Sequence, residues 1–329
     1  MILSFPMDLK TGIGRIGVVM AAMVAIAMCI LSYLFRPVEI APIQYGLCLP
    51  SPDSWNINSF VSWLINTISI GVIAVLLNLI NRNYNFIRTT EPALTVLFMI
   101  MASSAPWFTE SLNTSVIVCL ANVVCMGIIF ASYDTRNATQ HMFILGLIVG
   151  VGSLFQYAFL PMAVVYFLWA LFMKVLRAKE ILAFLAGIVC PYWISLGIGW
   201  VRLSDLHFPS ITPLFGNAHD HADFLLLLSG IAIAATVGFI VASINTVRLY
   251  AGNSRVYAMN LCVSTIGAAS IICILVDFDN MPAYVVTLYM ACAVQLANIC
   301  ALWNPRMPWM VTVFPSLIYI AIFIFSIIL

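Results

Sequence analysis

The sequence predicts an all-α fold: a polytopic membrane helix bundle of about eleven transmembrane helices, forming a single integral membrane domain over residues 1–329. Three observations lead to this prediction. Hydrophobic residues make up 64% of the chain and charged residues only 8%, against about 25% charged in soluble domains, so too few polar side chains exist to cover a water-facing surface. The apolar residues form eleven long runs, and basic residues recur in every second connection between them.

Each apolar run is a candidate to cross hydrocarbon about 30 Å thick, which needs roughly 17–25 residues of helix. The runs lie at about 16–35, 59–80, 92–107, 114–132, 142–156, 158–173, 181–201, 223–243, 258–276, 282–302 and 309–328. The first run resembles a secretory signal, but about 20 residues are too many for one and no small-residue cleavage site follows. We therefore expect an uncleaved first span. The fifth and sixth runs are short, and a re-entrant hairpin over 142–173 is the alternative there.

The distribution of Lys and Arg predicts which side each connection faces. With the N-terminus placed in the cytoplasm, eleven of the thirteen basic residues fall in inner connections, and only Arg36 and Arg202 fall in outer ones. This is the positive-inside pattern, and a missed span would invert it from that point onward. The sequence predicts an N-terminus inside and a C-terminus outside, in a bacterial inner (cytoplasmic) membrane.

Acidic residues and histidines are concentrated on the predicted outer face. Eight of the twelve Asp and Glu residues and three of the four histidines lie there, as do the two longest connections, 36–58 and 202–222. No Asp, Glu, Lys or Arg falls in the middle of a span, which argues against proton-coupled carriers and pumps. We therefore expect any chemistry at the outer face. The candidate catalytic residues are Glu39, His219, Asp220, Asp223, Asp277 and Asp279.

The densest group of titratable residues is "AHDHAD", residues 218–223. If this stretch is helical, His219 and Asp223 share one face at i, i+4, while the two histidines diverge and cannot bind one ion. If it is extended, His219 and His221 share a side, and a metal site with His207 becomes feasible. The simplest interpretation is a helix rim, in which acids in the first turn favour the positive end of the helix. A substrate-facing or proton-handling role comes second and a metal site third.

The acid-x-acid pattern "VDFDN" lies at 276–280, between spans nine and ten. Asp277 and Asp279 could share a divalent cation, since hard cations prefer clustered carboxylates. The favoured interpretation is a short connection kept soluble by its charges, with Asp279 near the start of span ten.

Polar residues inside the spans are few and uncharged. We expect these amides to form hydrogen bonds between helices rather than to bind ligands, and small residues at four-residue spacing to let helices approach closely. The amides are Asn66, Asn78, Asn122, Asn245, Asn260, Gln295 and Asn298, and the small-residue patterns are Gly146/Gly150 and Gly230/Ala234/Gly238.

The stretch from about 77 to 200 resembles a family of uncharacterised polytopic bacterial inner-membrane proteins. The likeness covers roughly 120 residues, from "LNLINRNYNFIRTTEPALTVLFMIMASSAP" to "LRAKEILAFLAGIVCPYWI". Its pattern is a Gly-rich span, an aromatic-Pro turn, a second span, a basic "R-x-K-E" connection and a span ending in "G-x-x-x-P". The family has no assigned catalytic residues, so the resemblance implies a membrane fold and no site.

The arrangement is also similar to that of membrane glycosyltransferases that use polyprenyl-phosphate sugars. Those enzymes carry an acid-acid or acid-x-acid motif in an outer connection, usually the first. Here the first outer connection offers Glu39 and Asp53, fourteen residues apart, and the acid-x-acid pattern lies in a later connection.

Three functions follow as hypotheses. The first is processing of an envelope glycan or lipid-linked substrate at the outer face. The second is a carrier or flippase for a neutral or amphipathic molecule, and the third is a structural scaffold of an envelope complex. The expected partners are the lipid bilayer, a lipid-linked or amphipathic substrate and other components of a membrane complex. The net charge of +1 and the lack of a basic tract give no sign of a nucleic-acid partner, and no motif indicates a cofactor.

Overall fold

The structure, a computed structural model, confirms the all-α fold. It describes residues 7–35, 46–55, 57–87, 93–135, 137–202, 222–250, 253–278, 280–302 and 308–328. These residues form no strand but eleven α-helices. The helices are α1 (Met7–Phe35), α2 (Ser59–Tyr84), α3 (Ala93–Ser103), α4 (Thr114–Ala131), α5 (Thr139–Phe155), α6 (Phe159–Phe172), α7 (Ala178–Ile198), α8 (Ala222–Tyr250), α9 (Ser254–Val276), α10 (Pro282–Leu302) and α11 (Pro308–Ile328). Each predicted apolar run corresponds to one of them.

Eight of these helices are long and apolar enough to cross a membrane, which makes the chain a multi-pass membrane protein. The other three, α3, α5 and α6, are apolar but have only 11, 17 and 14 residues. At 1.5 Å per residue they are about 17, 26 and 21 Å long. Shorter helices at membrane depth must be covered by protein where their backbone becomes irregular.

Local sequence signals set several helix ends. Asn58, Asn113 and Asn253 precede α2, α4 and α9, and the side-chain oxygen of each accepts a hydrogen bond from the backbone N–H two residues later. Such N-caps satisfy donors that the first turn of a helix leaves open. Asn85 (φ 48°) and Gly199 (φ 79°) end α2 and α7 in the left-handed conformation, which these two residue types tolerate best.

Helix α10 lies at the centre of the bundle. It packs against α3, α4, α8, α9 and α11, and every residue of its apolar segment Pro282–Cys300 is buried. The peripheral helices α1, α7, α8 and α11 instead leave most of their apolar segments partly or fully exposed, and Trp193 on α7 is 77% exposed. These outward apolar faces fit contact with lipid.

Glycines let α5 and α7 pack backbone to backbone. A Cβ added to Gly146 would lie 2.1 Å from the carbonyl oxygen of Phe184, and one added to Gly187 would lie 2.3 Å from that of Phe143. Gly150 approaches the Ile188 carbonyl in the same way, at 2.5 Å. The prediction of close packing at the α5 glycines is confirmed, since no larger residue fits at this spacing.

Helix α3 ends earlier than its apolar run predicts. After Ser103 the backbone passes into a 3-10 turn at Pro106–Phe108. Ten of the eleven α3 residues are buried, and polar side chains of neighbouring helices meet the irregular backbone. The Asn66 amide donates to the Phe108 carbonyl (2.5 Å), and the Thr109 hydroxyl donates to Ser32 (2.8 Å). The break is therefore covered by protein, as irregular backbone at membrane depth must be.

Candidate functional site

The structure describes only some of the six candidate catalytic residues. Glu39, His219, Asp220 and Asp279 lie outside the described residues. Asp223 lies in α8, but its side chain is also outside the described part. Only Asp277 has a described side chain, so a catalytic role for the other five stays a prediction.

Asp277 directly follows α9 and is buried, with 6% of its surface exposed. The Tyr157 hydroxyl donates a hydrogen bond of 2.5 Å to its Oδ2 atom, a length typical of a hydroxyl bound to a carboxylate. Tyr157 lies in the three-residue turn between α5 and α6, 120 residues away in sequence. The interpretation of Asp277 as a solubilising surface charge is therefore wrong, because the carboxylate faces protein.

A pair of buried amides joins the same two connections. The Gln156 amide nitrogen donates to the Asn280 side-chain oxygen at 3.1 Å, and the two residues are 1% and 0% exposed. The remaining atoms, Gln156 Oε1 and Asn280 Nδ2, are buried and have no hydrogen-bond partner among the described residues. Exchanging the oxygen and nitrogen of both amides would still leave one donor and one acceptor open. We call Gln156, Tyr157, Asp277 and Asn280 the turn cluster.

The first long connection covers the end of α5 beside the turn cluster. The backbone N–H of Leu47 donates to the Ser153 carbonyl (3.3 Å), and that of Leu49 donates to the Leu154 carbonyl (2.9 Å). These bonds satisfy carbonyls that the last turn of a helix leaves open. A Cβ on Gly46 would lie 2.2 Å from the Phe155 backbone, so this close approach requires glycine.

Asp53, which lies on the same connection, caps α4 from a distance. The Thr114 backbone N–H donates to its Oδ1 atom at 3.0 Å, and the Thr114 hydroxyl donates to Oδ2. Burial raises the pKa of the Asp53 carboxyl above its usual range, and the two bonds from Thr114 oppose that rise. Asp53 was not among the candidate catalytic residues, and its contacts assign it a role in holding the connection against α4.

Two further residues extend the turn cluster towards the bundle. Tyr284 lies in the first turn of α10, and Cys273 lies in the last turn of α9. Both lie close enough to Asp277 to interact with its charge. The site therefore combines one carboxylate, two phenol hydroxyls and an amide pair, all positioned by the ends of α5, α6, α9 and α10.

The turn cluster suits a ligand that both donates and accepts hydrogen bonds. An open N–H and an open oxygen on one hydrogen-bonded amide pair match the acceptor and the donor of a hydroxyl group, and a carboxylate can accept a further hydroxyl proton. No group of three or more His, Cys, Asp or Glu side chains that could hold a metal ion occurs in the described part of the chain, and residues 207–221 lie outside it. Comparisons with protein-family models, with curated proteins and with solved structures find no match for this chain.

Proposed function

We propose that this chain is an eleven-span protein of the bacterial inner membrane that binds and processes a lipid-linked, hydroxyl-bearing substrate at its outer face. The observation that carries the proposal is the turn cluster. It places a buried carboxylate next to an open hydrogen-bond donor and an open acceptor at one end of the bundle.

The topology is supported by the way the connections meet at two ends. At one end, which we call the acidic end, contacts join 46–55, 113–115, 153–157 and 277–280. At the other, the basic end, contacts join 84–87, 130–138, 173–179 and 253–257. Strict alternation of eleven spans predicts this partition of the described connections. The positive-inside rule then places the basic end in the cytoplasm.

The short helices α5 and α6 also fit two full crossings. Their shared turn reaches Asp277 and Asn280, which lie between two full-length helices, α9 and α10, at the acidic end. Their other ends meet at the basic end, where the Asp134 N–H donates to the Met173 carbonyl (3.1 Å). A hairpin that joins both ends of the bundle supports eleven spans over a re-entrant segment.

The chemistry of the turn cluster supports a substrate with an uncharged polar headgroup. A hydroxyl could accept from Asn280 and donate to Gln156, while Asp277 is placed to accept a proton as a general base. Tyr157 holds that carboxylate in position by its hydrogen bond. The cluster lies at helix ends, where lipid headgroups meet a membrane protein, so the apolar part of the substrate can stay in the bilayer.

The proposal is tested by the lipids of cells that lack the protein. Lipid extracts would be compared by mass spectrometry for the deletion strain and for strains that carry wild type, Asp277→Asn, Tyr157→Phe or Asp134→Asn. We expect the deletion and Asp277→Asn strains to accumulate the same lipid-linked species, and Tyr157→Phe to accumulate less of it. Asp277→Asn keeps the shape of the side chain but removes its capacity as a base.

Asp134→Asn is the matched control, because Asp134 is exposed at the basic end and has a positive φ of 54° that Asn also tolerates. It should leave the lipid profile unchanged. Deletion without any change in lipid-linked species would contradict the processing function and favour a carrier or a scaffold. Protein amounts in the membrane fraction show whether each variant folds.

A further inference from the structure

Four polar residues of the central helix α10 share one face, whereas the Tyr289 hydroxyl lies on another side and faces Gly230 of α8. Tyr284, Thr287, Gln295 and Asn298 follow a spacing of three, eight and three residues, which at 100° per residue places them within an arc of about 80°. Ala291 lies in the same arc and contacts Gly267 of α9: a Cβ on that glycine would lie 3.2 Å from the Ala291 Cβ. We call these five α10 residues the polar stripe.

The polar stripe runs through most of the membrane. Asn280 of the turn cluster precedes it, and the 14 residues from Tyr284 to Asn298 correspond to about 21 Å of helix, about two thirds of a hydrocarbon thickness of about 30 Å. All of these residues are buried in the bundle, so the stripe faces protein along its whole length. Near its acidic end, Thr287 accepts from the Asn122 amide (3.2 Å), whose oxygen accepts from Tyr166 (2.6 Å).

Towards the basic end the stripe meets amides of α8 and α9. The Asn245 amide donates to the Gln295 side-chain oxygen (2.8 Å) and backbone oxygen (2.9 Å). Asn298 donates to the Asn260 side-chain oxygen at 3.2 Å. These four residues, between 0% and 3% exposed, form what we call the amide cluster.

The amide cluster does more than join helices. Two donor bonds to Gln295 fix the orientation of the Asn245 amide, and its Oδ1 atom is buried without a hydrogen-bond partner among the described residues. An unpaired buried acceptor carries a free-energy cost, which a hydroxyl donor from a passing group would remove. The polar stripe therefore has unpaired polar atoms near both of its ends. The amide cluster offers one acceptor, and the turn cluster offers one donor and one acceptor.

We propose that the polar stripe is a membrane-crossing path for an uncharged, hydroxyl-bearing group, with the amide cluster as its binding site at the basic end. Phenol, hydroxyl and amide groups in the first and last parts of the stripe can exchange hydrogen bonds with such a group, and the small residue Ala291 lies between them. A charged group would need a partner of opposite charge, and the described stripe partners on α4, α8 and α9 are all neutral. The group is either a free polyol or the headgroup of a neutral glycolipid.

Purified protein in liposomes tests the path and separates the two sources. In one arm, stopped-flow light scattering measures the entry of sorbitol. In the other, dithionite quenching measures the exchange of acyl-NBD-labelled glucosyl-diacylglycerol between leaflets. We expect the rate in one of the two arms to exceed the rate in protein-free liposomes. Faster sorbitol entry identifies a free polyol as the transported group, and faster lipid exchange identifies the headgroup of a glycolipid. Equal rates with and without protein in both arms overturn the proposal.

The double variant Asn245→Leu/Gln295→Met removes both hydrogen-bonding partners at once, which leaves no amide of the pair unpaired and spares the fold. It should slow the active arm roughly tenfold, the effect of losing two neutral hydrogen bonds to the passing group. Thr287→Val, which removes one hydroxyl towards the acidic end of the stripe, should slow it less. Asn78→Leu is the matched control, because Asn78 is a membrane amide that is exposed outside the bundle.

Thermal unfolding of the same preparations separates transport from folding. If the stripe is a path, the two stripe variants should transport more slowly than the wild type while unfolding at the same temperature. Transport at the wild-type rate in both stripe variants overturns the proposal. The path does not rest on the processing step at the acidic end. The transport assay uses other residues and no chemical conversion, so an unchanged lipid profile in Asp277→Asn cells leaves it standing.

Discussion

The α5–α7 contact predicts a large effect from the smallest possible substitution, Gly146→Ala. The new Cβ would lie 2.1 Å from the Phe184 carbonyl oxygen, whereas ordinary contact begins at 3.4 Å. The obstacle is backbone, so no side chain can rotate away. The two helices must separate locally by about 1.3 Å, which also loosens the neighbouring Gly150 and Gly187 contacts.

Overpacking of this kind costs about 1–3 kcal/mol. For a chain of this size we expect the midpoint of thermal unfolding to fall by roughly 1–4 °C. Gly187→Ala should act similarly, since its Cβ would lie 2.3 Å from the Phe143 carbonyl oxygen. The double variant should cost less than the sum of the two, because one separation of the helices relieves both clashes.

The assay is thermal unfolding of the detergent-purified protein, followed by the loss of the monodisperse peak in size-exclusion chromatography. Gly197→Ala is the control within α7, because a Cβ there meets nothing within 4 Å. It should leave the midpoint unchanged or raise it slightly, as alanine favours helix over glycine. If Gly146→Ala and Gly197→Ala unfold at the same temperature, the two backbones do not pack as closely as described.

Two further predictions concern pH and topology. Burial raises the pKa of the Asp53 carboxyl, so the folded state binds the carboxyl proton more tightly than the unfolded state. The protonated carboxyl therefore contributes its full share to the free energy of unfolding at acid pH, and this share is lost as the pH rises through the pKa of the folded state. The unfolding midpoint of the wild type should therefore fall relative to that of Asp53→Asn as the pH is raised from about 4 towards neutral, while parallel curves would contradict a raised pKa. Reporter fusions after residue 178 should be cytoplasmic and fusions after residues 212 and 329 should be external; a cytoplasmic C-terminus would rule out eleven spans.

The positions of the helices could be predicted from sequence because each depends on a local run of apolar residues. Lipid and a buried core both demand such runs, so the pattern is strong. The predicted end of the third span at residue 107 was wrong, since α3 stops at Ser103 and a 3-10 turn follows. The polar partners that make this break tolerable, Ser32 and Asn66, come from α1 and α2, and no local pattern reports them.

The candidate site was predictable only in part. The excess of acidic residues on the predicted outer face drew attention to Asp277. The sequence around Gln156 and Tyr157 contains no pattern that predicts their contact with it. Their pairing depends on two hairpin turns that meet across 120 residues of sequence. A search for polar residues in all connections on one side would have included Gln156 and Asn280, although it could not have shown which atoms stay open.

The polar stripe follows from the same physical rule that shaped the rest of the bundle. Among the eight helices long enough to cross the membrane, α10 is the least apolar and the one whose apolar segment is completely buried. Lipid cannot satisfy amide or hydroxyl groups, so a helix that carries Thr287, Gln295 and Asn298 is stable only where neighbouring helices supply partners. The central position of α10 is therefore a consequence of its sequence. The Asn245 oxygen, which has no hydrogen-bond partner among the described residues, is the feature of the amide cluster that supports the proposed path.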